Sequence, residues 1–327
     1  MNLLTFLAKK LFYRFIVFFI ILTIVFMIPR LAPGTPIDYL IEDPRVPPEI
    51  REQLLEKFGL NKPVFPDQYI QFLYNFFVRF DLGYSFAYQQ PVAKLISERI
   101  IWSIILLGGA LVIAIPTGIL LGSLLVSRRG SREYLGVLML LLLRSFPVFW
   151  LGMVLLLIFS YRLELFPSGG ATTPGASYSN LGEFVVDVLR HITLPLIALS
   201  SVFIVRYTLL MRSSALNTIG EDFVVVALAK GLSRRQILYG YIIKNSMLPV
   251  MTIASIDIGF VAGGAVVTET VFSYPGMGRL LYDAVMSRDY PLVLGIFVVI
   301  SGITLIAVTV AEFIYSIIDP RVRTHET

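Results

Sequence analysis

Long apolar segments are the feature of this sequence that most constrains its fold. Six of them occur along the 327-residue chain, and each reaches the roughly 20 residues that a helix needs to cross the hydrocarbon core of a bilayer. A backbone in lipid must satisfy its own hydrogen bonds, which a helix does within one segment. The sequence therefore predicts an all-α polytopic membrane protein with six transmembrane helices. Their expected bounds are Leu11–Ile28, Ile101–Val126, Tyr134–Tyr161, Ile192–Met211, Met247–Val271 and Leu292–Ile318.

Composition argues against several other classes of protein. Hydrophobic residues make up 56% of the chain and charged residues 15%, against about 45–50% and about 25% in soluble domains. There is no cysteine, which rules out a disulfide framework and a Cys-ligated metal site. The two histidines lie far apart, and no G-x-x-x-x-G-K-[ST] phosphate-binding loop occurs. We therefore expect no catalytic residue, no metal site and no cofactor bound to this chain.

The positions of Lys and Arg predict the orientation of the chain. Basic residues concentrate at the N-terminus, after the second and fourth apolar segments and in the tail, as in Lys9, Arg128, Arg234 and Arg321. Cytoplasmic loops carry an excess of Lys and Arg, so we expect both termini in the cytoplasm. Basic cytoplasmic loops also explain the net charge of +5 better than nucleic-acid binding does.

The apolar segments divide the chain into four parts. These are the cytoplasmic N-terminal end with the first helix (1–30), an extracytoplasmic loop (31–99), a core of five helices (100–318) and a cytoplasmic tail (319–327). The extracytoplasmic loop is expected to contain two short helices, Glu49–Phe58 and Asp67–Phe80, the second with a Tyr/Phe stripe. We expect this loop to pack as a small cap on the rim of the membrane, with direct substrate contact as the alternative.

Five ionisable residues fall within the predicted helices: Arg144, Arg206, Asp257, Glu269 and Glu312. Each costs about 2.5–3.5 kcal/mol at the centre of a helix in lipid, so each should face protein or water. A rise of about 1.5 Å per residue places Arg144 level with Asp257, and Arg206 level with Glu312. We therefore predict ion pairs Arg144–Asp257 and Arg206–Glu312, with Asp257 beside a pathway. Extension of Arg206 to the inner interface is an equally good alternative.

A helix–glycine–helix pattern lies between the fourth and fifth apolar segments. Thr218 with Glu221, and Ser233 with Gln236, have the spacing of a capping box, which satisfies the first N–H groups of a helix. Gly231 lies between the two boxes and suits the left-handed conformation that ends a helix. The pattern predicts a rigid elbow with a surface shaped for a partner, and an ordinary amphipathic connector is the alternative.

The elbow and four further motifs resemble those of one family. The elbow reads Glu221-Asp222-Phe223 … Ala227-Leu228-Ala229-Lys230-Gly231-Leu232-Ser233 … Leu248-Pro249. The other motifs are Asp81-Leu-Gly-Tyr-Ser85, Ser145-Phe-Pro-Val-Phe-Trp150, Glu269-Thr-Val-Phe-Ser-Tyr274-Pro275-Gly276 and Arg288-Asp-Tyr-Pro291. Together they resemble ABC importer permeases of the dipeptide/oligopeptide family, specifically the first of the two permease subunits. Val225-Val226-Ala227 replaces the Glu-Ala-Ala of the general importer loop, as is typical of the peptide branch.

This resemblance implies a fold, partners and site residues. The fold would be a type I ABC importer transmembrane domain. The partners would be a second homologous permease subunit, two cytoplasmic ABC ATPases that bind ATP and Mg, an extracytoplasmic solute-binding protein and membrane lipid. The loop 213–246 would be the ATPase-docking loop. Its docking residues would be Glu221, Asp222, Phe223, Ala227, Ala229, Lys230, Gly231, Leu232 and Ser233.

The turn Tyr274-Pro275-Gly276 lies between the fifth and sixth predicted helices. We expect it either to close the outer mouth as an external gate or to receive the binding protein, and a purely structural role is equally compatible with the sequence.

The expected function is ATP-driven import of di- and oligopeptides across the cytoplasmic membrane by a subunit that is not itself an enzyme. The same importer type carrying oligosaccharides, nickel or glutathione is the first alternative. An ion-coupled secondary transporter is less favoured, because it calls for an inverted repeat that the sequence lacks. A receptor or scaffold without transport activity is the remaining alternative.

Overall fold

The computed structural model describes residues 3–31, 56, 61–128 and 130–318, with side chains described for 12–28, 30–31, 56, 61–128 and 130–310. The predicted helix Glu49–Phe58 and the tail 319–327 therefore lie outside the described residues, apart from Glu56. The helices are α1 (Leu3–Leu31), α2 (Tyr69–Arg79), α3 (Val92–Ser127), α4 (Ser131–Ser145), α5 (Val148–Leu155), α6 (Leu181–Ile219), α7 (Asp222–Ala229), α8 (Arg234–Ile237), α9 (Lys244–Gly259), α10 (Val266–Val271), α11 (Met277–Met286) and α12 (Tyr290–Ile318). Two short strands, β1 (Tyr84–Ser85) and β2 (Gln90–Pro91), pair antiparallel.

Four helical stretches of the described chain are long and apolar enough to cross a membrane: Val92–Ser127, Leu181–Ile219, Arg234–Gly263 and Tyr290–Val310. A fifth span results if α4 and the helix from Val148 to Arg162 count as one bent span. α1 contributes a shorter apolar stretch, Phe12–Ile28. The all-α membrane fold is confirmed, whereas the count of six helices stays a prediction.

The third predicted helix, Tyr134–Tyr161, is sharply bent at Phe146-Pro147. The helices on either side of Phe146-Pro147 differ in direction by 87°. Phe146 is extended, with φ −78° and ψ 125°, as a residue before proline prefers. Because Pro147 lacks a backbone N–H, it begins a new helix more readily than it continues an old one. The third predicted helix is therefore two shorter helices that meet at Pro147.

The fifth predicted helix, Met247–Val271, begins and ends earlier than expected. α8, a π-helical turn at Leu238–Ile243 and α9 follow one another without a break from Arg234, and the span that they form ends at Gly263. Gly264 then takes a φ of +74°, which glycine adopts without steric cost. The second helix of the elbow is therefore the start of a span, and Glu269 lies beyond the end of that span, not within it.

The chain divides into two compact units. The first comprises Met1–Ile100 and Leu280–Leu305, and the second Ile101–Arg279 and Ile306–Thr327. In the second unit α3 and α6 pack closely where the sequence has Gly118 and Gly122. A Cβ at Gly118 would lie 2.4 Å from the Cβ of Tyr207, and one at Gly122 would lie 2.7 Å from the Cβ of Met211. Such approach of two backbones is what small residues four apart permit.

In the first unit α2 packs along α1 through aromatic side chains. The ring of Phe26 lies 5.2 Å from the rings of both Tyr69 and Phe72, and Phe18 lies 6.0 Å from Phe76. The helix predicted from the aromatic stripe is confirmed. Its aromatic stripe packs against phenylalanines of α1, and its role as a cap on the rim of the membrane stays a prediction.

A buried carboxylate joins the β-hairpin to the beginning of α12. Asp289 Oδ2 accepts hydrogen bonds from Ser85 Oγ at 2.5 Å and from the Ala87 backbone N–H at 3.0 Å, while Oδ1 accepts from the Leu292 N–H at 3.2 Å. Both Ser85 and Asp289 are buried. Hydrogen bonds to an ionised acceptor are stronger than neutral ones, so this carboxylate fixes the hairpin.

Replacing this carboxylate by an amide should destabilise the first unit. In Asp289→Asn at least one buried N–H loses its acceptor, which costs roughly 1–3 kcal/mol. We expect the melting temperature of the purified protein in detergent, followed by circular dichroism of its helices, to fall by at least about 3 °C. Asp67→Asn alters an exposed acid of the same unit and should leave it unchanged. Equal melting temperatures for the two variants would contradict the assignment.

Candidate functional site

A small apolar cluster supports the elbow between α6 and α8. Its buried members are Ala215, Val224, Ala227, Ile237 and Ile242. Val224 and Ala227 are three residues apart on α7 and therefore lie on one face of that helix. The cluster thus packs α7 against the end of α6 and the beginning of the next span.

The turn of the elbow has the conformation that the sequence predicts. Gly231 has a φ of +72°, and no atom lies within 4 Å of where its Cβ would be. Backbone conformation, not lack of space, therefore requires glycine here. At the start of α8, Ser233 Oγ accepts from the Gln236 N–H at 3.4 Å and the Gln236 side-chain oxygen accepts from the Ser233 N–H at 2.9 Å. The second capping box is confirmed.

The first capping box, Thr218 with Glu221, is not formed. α6 continues to Ile219, and the Thr218 hydroxyl donates to the Ser214 carbonyl at 2.9 Å. α7 begins after Glu221 without a side-chain cap. The prediction failed because a hydroxyl inside a helix is satisfied by the carbonyl four residues earlier, so the spacing alone does not mark a helix start.

The outward face of α7 is apolar. Val225, Leu228 and Val226 are 60%, 56% and 52% exposed, and Phe223 is 37% exposed. Scattered exposed apolar residues are ordinary, but a contiguous apolar patch marks an interaction site. We call these four residues the α7 patch. Of these four residues only Phe223 is among the predicted docking residues, although the spacing of Val224 and Ala227 indicates which face of α7 is turned inward.

The predicted docking residues separate into exposed and inward-facing positions. Ala227 is buried in the cluster, and Leu232 packs against it. The small side chain of Ala227 therefore allows α7 to pack closely against α6. The exposed positions are Glu221, Asp222, Phe223, Ala229, Lys230, Gly231 and Ser233.

The intramembrane charges pair differently from the prediction. Arg206 Nη1 on α6 lies 2.9 Å from both carboxylate oxygens of Asp257 on α9, and the Tyr207 hydroxyl donates to Asp257 Oδ2 at 2.7 Å. The predicted pair Arg144–Asp257 was wrong, and Arg144 is exposed near the end of α4. The side chain of Glu312 lies outside the described residues. Depth counting failed because the third helix bends and the spans of Arg206 and Asp257 extend beyond their predicted ends.

A second ion pair joins α6 to α4. Arg212 Nη2 and Nε lie 2.6 and 3.1 Å from Glu133 Oε1. This pair was not predicted, because the fourth predicted helix ends at Met211 whereas α6 continues to Ile219.

The turn predicted as an external gate surrounds a buried carboxylate. Glu269 is 0% exposed. Its Oε1 accepts from Ser103 Oγ at 2.7 Å and from the Ala265 N–H at 3.0 Å, and its Oε2 accepts from the Arg279 N–H at 3.0 Å. A Cβ at Gly276 would lie 2.3 Å from Glu269 Cδ. The carboxylate therefore holds the chain that follows it tightly in place.

Tyr274 and Gly276 are buried and Pro275 is half-buried. The Tyr274 ring meets Trp102 edge to face, with ring centroids 6.1 Å apart. The turn is thus a packed part of the second unit, and its role as a gate stays a prediction.

A further carboxylate organises the segment between α5 and α6. Asp187 accepts from the backbone N–H and the hydroxyl of Thr173, and from the Tyr178 hydroxyl, each at 2.7 Å. The hydrogen bond to Asp187 raises the pKa of Tyr178 above its usual value. Among the residues with described side chains, no group of three or more His, Asp or Glu is placed to hold a metal ion.

Comparison with known proteins identifies the family. The family model described as "Binding-protein-dependent transport system inner membrane component" matches residues 114–324, which is well over half of the chain and includes the elbow and the Arg206–Asp257 pair. The chain belongs to this family. As a binding-protein-dependent transport system inner membrane component it is a multi-pass membrane protein and a transport component, not an enzyme, and its fold is the type I ABC importer transmembrane domain.

Three relatives match this inner membrane component over nearly their whole length. The oligopeptide transport system permease protein AppB of Bacillus subtilis is 32% identical over 299 residues, covering 91% of this chain and 92% of AppB. The dipeptide transport system permease protein DppB of Escherichia coli is 31% identical over 316 residues, covering 91% and 92%. The di/tripeptide transport system permease protein DppB of Pseudomonas aeruginosa is 30% identical over 335 residues, covering 98% and 99%.

The packing around Glu269 predicts that Gly276→Ala prevents normal folding of the inner membrane component. The added methyl would overlap the carboxylate, and overpacking typically costs about 1–3 kcal/mol. We expect the yield of monodisperse protein, measured by size-exclusion chromatography of a fluorescent fusion, to fall several-fold. Gly240→Ala is the control, because no atom lies within 4 Å of that Cβ position. Equal yields for the two variants would show that the turn does not enclose the carboxylate.

Proposed function

We propose that the chain is the permease subunit of an ATP-driven importer that carries di- and oligopeptides across the cytoplasmic membrane. Membership of the binding-protein-dependent family supports import with the help of an external binding protein. The names of the three relatives, which are oligopeptide, dipeptide and di/tripeptide permeases, support the peptide cargo. Their similarity extends over at least 91% of this chain, so the proposal does not rest on one motif.

The proposed assembly contains this chain, a second homologous permease subunit, two cytoplasmic ABC ATPases and an extracytoplasmic solute-binding protein. ATP and Mg are bound by the ATPases, to which this chain contributes no phosphate-binding loop. The N-terminus, the elbow and the C-terminus face the cytoplasm in this proposal, as the distribution of Lys and Arg favours.

The α7 patch is the surface that we assign to the ATPases, and it is the observation that carries the proposal. Four apolar side chains exposed on a helix in a water-facing loop are stabilised when a partner covers them. Phe223 and Leu228 flank the two valines, so they are suited to enter a groove of the partner. The charged residues Glu221, Asp222 and Lys230 surround the patch and would lie at the rim of the contact.

The elbow also provides a route by which movement of the ATPases reaches the membrane. α7 is fixed to α8 by the apolar cluster, and α8 continues without a break through the π-helical turn into α9. A displacement of the docked elbow therefore moves the span that carries Asp257. Such a change is driven only by contacts that differ between the two states, and nucleotide-dependent closure of the ATPases supplies that difference.

Uptake into proteoliposomes of the co-expressed assembly tests this proposal. Labelled tri- to hexapeptides should accumulate only when the ATPases are supplied with ATP. Val226→Asp places a charge in the centre of the α7 patch, so we expect uptake to fall at least tenfold and the ATPases to be lost on purification.

The control for this experiment is Ser131→Asp, which adds the same charge at the exposed start of α4, where an acid suits the helix dipole. It should leave uptake unchanged. Peptide uptake that does not require ATP, or that is unchanged in Val226→Asp, would contradict the proposal. ATP-dependent uptake of cello-oligosaccharides but not of peptides would show that the cargo is an oligosaccharide.

A further inference from the structure

We infer that Arg206 is a carboxylate-binding residue of the translocation pathway, where it pairs transiently with the C-terminal carboxylate of a passing peptide. The identity of the cargo rests on the proposed function. The position of the guanidinium and its two nitrogens that carry no hydrogen bond to the described residues are features of the structure itself.

The guanidinium of Arg206 is held on one side and open on the other. Asp257 engages Nη1 only, with both oxygens at 2.9 Å. Among the described residues no hydrogen bond reaches Nε or Nη2 of Arg206. These two nitrogens form the side of a guanidinium that binds a carboxylate through two parallel N–H···O bonds. Asp257 therefore fixes the orientation of Arg206 and leaves Nε and Nη2 in position to bind a second carboxylate.

The open side of Arg206 lies inside the span and is accessible. The side chain of Arg206 is 48% exposed, whereas that of Asp257 is 11% exposed. Arg206 lies on α6, one of the helical stretches that are long and apolar enough to cross a membrane. A charged side chain within such a span must face protein or a water-filled cavity, because exposure to lipid is too costly.

A polar stripe of Arg206, Ser213 and Asn217 follows α6 towards its end, interrupted one turn after Arg206 by the half-buried Leu210. Ser213 and Asn217 are both exposed, and they follow Arg206 by about two and about three helical turns on the same face. The exposed face of α4 is different, since most of its large exposed residues are apolar, among them Leu135, Leu138 and Leu142. An apolar face suits lipid, whereas the stripe on α6 suits a hydrated route towards the cytoplasm.

The chemistry of the Arg206–Asp257 pair suits a peptide that binds briefly and is then released. Every peptide with a free C-terminus presents one carboxylate whatever its side chains, so a fixed arginine recognises the class without reading sequence. The nearby negative charge of Asp257 weakens the binding of a second carboxylate. Weak binding is what passage requires, because a cargo bound too tightly is not released.

The test compares uptake of one peptide with uptake of its C-terminal amide. Proteoliposomes of the whole assembly are used, and the ratio of the two initial rates is the preference. We expect the wild type to prefer the free carboxylate at least tenfold, and Arg206→Gln to reduce the preference to within about twofold of unity. A preference that arises in the external binding protein would survive this substitution unchanged, and that result overturns the inference.

Two further variants keep the test decisive. Arg190→Gln removes an exposed arginine near the opposite end of α6 and should retain the wild-type preference. Arg206→Lys keeps the charge but lacks the planar fork, so its preference should fall at least threefold. Should Arg206→Gln fail to assemble with the second permease, an undiminished preference in Arg206→Lys would assign Arg206 to the subunit interface and overturn the inference.

Uptake of peptide and of its amide by the wild-type assembly distinguishes failure of this inference from failure of the proposed function. No ATP-dependent peptide uptake by the wild-type assembly contradicts the proposed function. ATP-dependent uptake of peptide and amide at equal rates leaves that function intact and overturns only the role of Arg206.

Discussion

The structure depends on the satisfaction of carboxylates that are removed from water. Glu269 is fully buried, and its two oxygens accept from one serine hydroxyl and two backbone N–H groups. The same solution recurs at Asp289 with Ser85 in the first unit and at Asp257 with Tyr207 in the second. In each case a hydroxyl and at least one further donor offset the cost of desolvating the charge. These three carboxylates fix the turn after α10, the β-hairpin and the junction of α6 with α9.

Fixed junctions of this kind are what a coupled transporter needs. The elbow is rigid because Gly231 turns the chain, Ser233 caps the next helix and the apolar cluster joins α7 to α8. Its outer face is apolar and is left exposed by the described residues, while its second helix runs on into the span. The Arg206–Asp257 pair then links that span to α6. A force applied at the α7 patch therefore reaches the intramembrane charge through covalent and hydrogen-bonded connections.

Most local signals in the sequence predicted well, with the Thr218–Glu221 capping box as the exception, and distances across the fold did not. The helical class, the left-handed Gly231, the Ser233 capping box and the aromatic helix α2 each follow from a few neighbouring residues. The pairing of Arg144 with Asp257 was wrong because it assumed straight helices, and Phe146-Pro147 bends one of them by 87°. The donors around Glu269 escaped notice because two are backbone N–H groups and the third, Ser103, is 166 residues away. Such partners carry no sequence pattern.

Photocrosslinking from a single thiol tests the central claim most directly, namely that nucleotide-driven ATPases act on this chain through the α7 patch. The chain has no cysteine, so Val226→Cys supplies its only thiol, to which a benzophenone maleimide is attached before irradiation of the assembly. The account predicts a covalent adduct with the ATPase whose yield changes between the nucleotide-free and ATP-bound states. Leu138→Cys, on the exposed apolar face of α4, should give no such adduct. Absence of an ATPase adduct from position 226, with the label attached and the assembly intact, would contradict the account.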